Sequence, residues 1–79
     1  MNLRGKRIFT GRMQLVNDWE VRPFAIQNPD GAFLPGVAAR RHRAGENAGK
    51  EYCFDELCAN KEEAFEFALS QGLGLLAEQ

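Results

Sequence analysis

The chain has 79 residues, of which 44% are hydrophobic and 27% charged, with a formal net charge of −1. These are the values of an ordinary soluble domain, so disorder along the whole chain is excluded, and no run approaches the roughly eighteen apolar residues that cross a membrane. Area scaling lets a chain this short bury roughly 60% of its unfolded surface, which leaves no room for a second domain or a large cofactor cavity.

Residues 1–7 are polar and predicted to fray, and no apolar core of a secretory signal follows them. Ile8 to Val16 is strand-forming material interrupted by Gly11, and Asn17-Asp18 is a turn signal. In Trp19-Glu20-Val21-Arg22 apolar and polar residues alternate, the period of a half-buried strand. Beyond Pro23 the apolar parity passes to Phe24 and Ile26, which predicts a bulge at Arg22 or Pro23 that returns all four apolar residues to one face.

Asn28-Pro29-Asp30-Gly31 is the strongest turn in the chain and makes its flanks a hairpin. The returning strand is expected from Ala32 to Arg41, with a second irregularity at Pro35-Gly36. Residues 42–50 are polar and rich in glycine and are expected to form a mobile loop before a short strand at Glu51–Phe54. Asn60 is placed to cap a helix, with Glu63 three residues later and acids in the first turn. Phe65, Ala68, Leu69, Gly72, Leu73, Leu75 and Leu76 share a broad face, which carries the helix from about 61 to 77. Phe67 falls off that face, either packed under the N-terminal segment or exposed as an interface anchor.

Strands followed by one helix imply an α+β domain over 1–79: a three- or four-stranded antiparallel meander with one C-terminal helix across one face. The sheet's other face would be solvated or would meet a partner. Trp19, Phe24, Ile26 and Tyr52 are expected in the core or on the sheet.

Charge is divided along the chain. Residues 1–50 hold nine bases and four acids, a balance of +5, and residues 51–79 hold one base and seven acids, a balance of −6. The two segments attract each other, within one molecule or between two. The densest basic cluster is Arg40, Arg41, His42 and Arg43, with Lys50 across the expected loop. It is a candidate contact for phosphates or nucleic acid, because arginine forks match phosphate oxygens. The negative net charge opposes strong nucleic-acid binding.

Catalytic inventory is sparse. Ser70, Thr10, His42 and Tyr52 are each single examples of their type, and Ser70 lies in the predicted helix rather than on an exposed elbow. Cys53 and Cys58 are read as free thiols, since five extended steps hold them about 16 Å apart. A thiol device with His42 has no spacing to support it, and Cys-x4-Cys is too loose for a zinc knuckle. Ala44 to Glu51 departs from a phosphate-binding loop in glycine spacing, in Glu51 where a hydroxyl is needed, and in the strand that follows. Gly72-Leu73-Gly74 has no preceding strand. No catalytic residue, metal or cofactor is therefore expected.

Three features together, Trp19-Glu20-Val21-Arg22-Pro23, the turn Asn28–Gly31, and Glu62-Glu63-Ala64 with Gly72 eight residues on, give a layout that resembles small bacterial proteins of unknown function built as a β-meander with a C-terminal helix. The resemblance covers residues 13–77. It implies that fold and a bacterial, cytoplasmic setting, and it brings no activity and no site residues. The expectation is a non-enzymatic interaction module, a homodimer or the ligand of another protein, with Phe67 as a candidate interface residue. Weak nucleic-acid or polyanion binding at 40–43 is the alternative.

Overall fold

The computed structural model describes residues 7–43 and 46–77. The elements are strands β1 (Arg7–Thr10), β2 (Gln14–Val16), β3 (Trp19–Gln27), β4 (Phe33–Arg43) and β5 (Glu46–Cys53), followed by helix α1 (Lys61–Ala77). All strand pairings are antiparallel, in the order β1-β3-β4-β5, and β2 also pairs with β3. β1 lies along Phe24–Gln27 of β3 and β2 along Trp19–Val21. The two short strands therefore share one edge position, and the five strands make a sheet four positions wide.

The break between β1 and β2 corrects the predicted bulge. β3 pairs with β4 in unbroken register from Trp19↔Arg41 to Gln27↔Phe33, so no residue is inserted at Arg22, Pro23, Pro35 or Gly36. The extra residue lies across the edge, where Gly11-Arg12-Met13 stands opposite Arg22-Pro23. A strand residue's N and O point the same way, and Pro23 O accepts from Gly11 N at 2.8 Å. The proline nitrogen, which has no hydrogen to donate, thus faces the interruption. Pro35 uses the same device. Its carbonyl accepts from Phe54 N at 3.0 Å, just past the end of β5.

The turn at Asn28–Gly31 closes as its residues dictate. Gly31 N donates to Asn28 O at 2.9 Å, Ala32 N donates to Asp30 Oδ1 at 3.1 Å, and Gly31 takes φ 96°. This is a type I turn ending in a left-handed residue, a common three-residue hairpin loop. The expected mobile loop at 42–50 is largely strand. β4 continues to Arg43, and β5 begins at Glu46 and pairs back as far as Gly36. After Cys53 the chain leaves the edge and returns at Cys58, which exchanges both backbone hydrogen bonds with Phe33 at 2.8 and 3.0 Å.

Asn60 caps α1 as expected, its Oδ1 accepting from Glu63 N at 2.8 Å, while Glu63 Oε1 accepts from Ala59 N at 3.4 Å. The buried seam of the helix is Ala64, Ala68, Gly72 and Leu76, one residue per turn. Three of the four are small, so the helix lies close to the sheet. A Cβ added at Gly72 would stand 2.9 Å from Val37 Cγ1. Phe65 and Phe67 flank the seam, both half-buried. Phe65 lies over Gly11, and Phe67 meets the Phe54 ring edge-on at 5.7 Å. Phe67 is therefore half-buried beside Phe54, and the N-terminal segment named as its other neighbour lies mostly outside the described residues.

Beneath the helix lie two apolar clusters. One gathers Ala25, Cys58 and Ala64 with Phe33, Phe65 and Phe67 around the first turns. The other gathers Trp19, Val21, Val37, Ala39, Ala68 and Leu76 around the later turns. Along β3 every odd residue from Trp19 to Ala25 is buried, and the even residues between them are half or fully exposed. The helix covers only that odd face.

Candidate functional site

The even residues of β3 and β4, with their neighbours, form a face with no helix over it. Ladder register arranges that open face in rows. Ile8, Ile26 and Leu34 make an apolar row, and Thr10, Phe24, Gly36 and Cys53 make the next. Then come Arg22, Ala38 and Glu51, and finally Leu15, Glu20, Arg40 and Gly49. One end of the face is apolar and the other is charged, with two carboxylates and two guanidinium groups in balance.

Relief on the face follows from side-chain size. The far end of the Phe24 ring lies over Gly36, where an added Cβ would collide with it. Beside it runs a shallow groove of about 310 Å³, lined by Ile8, Phe24, Ile26, Ala38 and Cys53 among others. At the charged end a wider depression of about 520 Å³ is bordered by Glu20, Arg22, Arg40 and Glu51 among others. Ile8 remains 51% exposed and Leu15 72%.

The basic cluster singled out from sequence is divided between the two faces. Arg40 lies on the open face, with Glu20 as its direct cross-strand neighbour. Arg41 and Lys50 lie on the helix side, over the buried Trp19 ring at 4.9 Å and 5.9 Å from its centroid. His42 and Arg43 are located by register alone, opposite Asn47 and Glu46. Strand alternation does the dividing.

The cysteines are separate too. Cys53 is exposed on the open face, and Cys58 is buried under the helix; both are free thiols. Burial, reinforced by the nearby Glu56 and Glu63 carboxylates, pushes the Cys58 thiol pKa above its ordinary value, the reverse of what activates a nucleophile. Cys58 pairs with Phe33, nine positions along β4 from His42, a span of about 30 Å. Cys53 pairs with Gly36, six positions from His42, about 20 Å. Both cysteines thus lie far along the ladder from the His42 backbone. Among the described residues no group of three His, Cys, Asp or Glu side chains converges to hold a metal ion, and no helix is long and apolar enough to cross a membrane.

Sequence reading alone did not single out Glu20, Arg22, Glu51, Leu15 or Cys53 as surface partners. A signal was present in the strict alternation of Glu20, Arg22, Phe24 and Ile26 along β3, had that strand been taken as unbroken. Comparison with known protein families, curated proteins and solved structures finds no match to this chain.

Proposed function

We propose that the protein is a non-enzymatic interaction module that self-associates through the open face of its sheet. The observation that carries this reading is the one-sided covering of the sheet, with Ile8, Phe24, Ile26 and Leu34 in adjoining rows on the uncovered side. A bacterial cytoplasm is the proposed setting, and a reducing compartment suits the two free thiols. Sedimentation or light scattering across a concentration series tests the reading. Mass should rise from monomer toward dimer over the micromolar range, and a strict monomer at high micromolar concentration ends it.

The second reading is weak polyanion binding by Arg40, Arg41, His42, Arg43 and Lys50. It draws less support, because Arg41 and Lys50 lean on Trp19 while Arg40 stands beside a carboxylate. Titration with single-stranded oligonucleotides is its test. Affinity that falls steeply with salt favours it over self-association as the role of the charged end, and no binding at low salt removes it.

A further inference from the structure

The order of the rows on the open face restricts how two copies can meet. We infer that the protein forms an isologous pair, open face against open face, about a two-fold axis that runs parallel to the strands between β3 and β4. The inference rests on the self-association reading and specifies its geometry.

Two in-plane axes are available to sheets packed face to face. An axis across the strands lays the charged rows of one copy on the apolar rows of the other, which takes Arg22, Glu51 and the neighbours Glu20 and Arg40 out of water against hydrocarbon. That arrangement is costly. An axis along the strands keeps each row against itself and exchanges β3 with β4. Glu20 then faces Arg40 of the partner subunit, and Arg40 faces the partner's Glu20. Ile26 meets the partner's Leu34.

Sizes match under the same operation. Leu15, standing 72% exposed, falls opposite the partner's Gly49, where an added Cβ would find only the Ala39 carbonyl at 3.9 Å. The Phe24 ring, lying across Gly36 between β3 and β4, sits on the axis and meets the partner's Phe24. Glu20 with Arg40, Ile26 with Leu34 and Leu15 with Gly49 are thus self-complementary about one axis, as an isologous contact demands. The aligned packing of two twisted sheets permits it. Four strand positions by seven residues give a patch of about 20 by 20 Å, at the small end for a specific pair, so micromolar dissociation is expected.

The test is a mixing experiment with Glu20→Arg and Arg40→Glu, read by sedimentation equilibrium, with circular dichroism confirming that each variant folds. Each variant alone sets like charges against each other twice, and its self-association should weaken by about tenfold or more. An equimolar mixture sets opposite charges at both contacts and should restore a dimer. Two variants that dimerise as the wild type does, or a mixture that stays monomeric, overturn this geometry while leaving self-association by another surface intact. A wild type that never dimerises removes the underlying reading instead.

Cys53 supplies an independent measurement on the unmodified protein. Its alkylation rate should fall as protein concentration rises, and a bulky maleimide there should abolish dimerisation. A slow rate independent of concentration assigns the open face to a segment of the same chain and overturns the pair.

Discussion

Trp19 and Arg41 stand directly opposite each other on β3 and β4, and the guanidinium carbon of Arg41 lies 4.9 Å from the centre of the indole ring. Lys50, one strand further out, reaches the same ring at 5.9 Å. The pair closes the later-turn end of the core. Trp19 is only 4% exposed, and Leu76 of the last helical turn shares its cluster.

A graded response is expected at this ring. Arg41→Ala should destabilise the fold by about 1 kcal/mol, the worth of a partly desolvated cation over indole. Lys50→Ala should cost less, because 5.9 Å is near the limit of useful approach. Urea unfolding followed by Trp19 fluorescence measures both. A larger effect at Lys50 contradicts this account.

Two glycines in the same helix should respond with opposite signs. Gly72→Ala brings a methyl within 2.9 Å of Val37 Cγ1, and overpacking of this kind costs about 1–3 kcal/mol. Gly74 faces open space, so Gly74→Ala should gain about 0.5–1 kcal/mol through helix propensity. Thermal melts of the two variants decide it, and a stabilised Gly72 variant would show that the helix does not sit as close to the sheet as described.

The helix cap predicts a third ordering. Asn60→Ala should lose about 1 kcal/mol by releasing Glu63 N, whereas Asn60→Asp keeps the acceptor and should stay near wild type. Chemical denaturation of both variants is the check, with equal losses arguing that the side-chain oxygen is not what matters.

Thiol chemistry supplies a fourth. Exposed Cys53 should react quickly with a disulfide reagent, and buried Cys58 slowly, at a rate set by opening of the fold. The sign of the pH effect follows from the raised pKa of Cys58. Above the ordinary thiol value of 9.0 the unfolded chain begins to lose this proton while the folded chain retains it. Stability should therefore fall as pH rises past about 9. The slope should be absent in Cys58→Ala. A slope unchanged in that variant assigns the alkaline loss to other groups.

Helix limits and the main turn were legible because they depend on near neighbours. Asn60 reaches Glu63 three residues away, and Gly31 supplies the positive φ that its own turn needs. The bulge was legible in place but misassigned in strand. Pro23 announces a missing donor, yet nothing local says whether the extra residue is inserted beside it or across the edge. The 42–50 segment was misread because its strand is held by hydrogen bonds from a partner strand, not by its own glycine-bearing composition. Phe67 looked stranded on a helical projection because Phe54, which receives it, comes from outside the helix.

By itself, the amino-acid order determined the class of fold, the caps and turns, and the alternation that gives each strand two chemically different sides. Only the tertiary structure decided which side the helix would cover, which of Arg40 and Arg41 would lie on that side, and that acids and bases would share rows with matching relief. The reason is geometric. A strand presents successive residues to opposite faces, while the neighbours of each residue within a face come from other strands many positions away, so surface chemistry is set by register and by the one helix that occupies a single side.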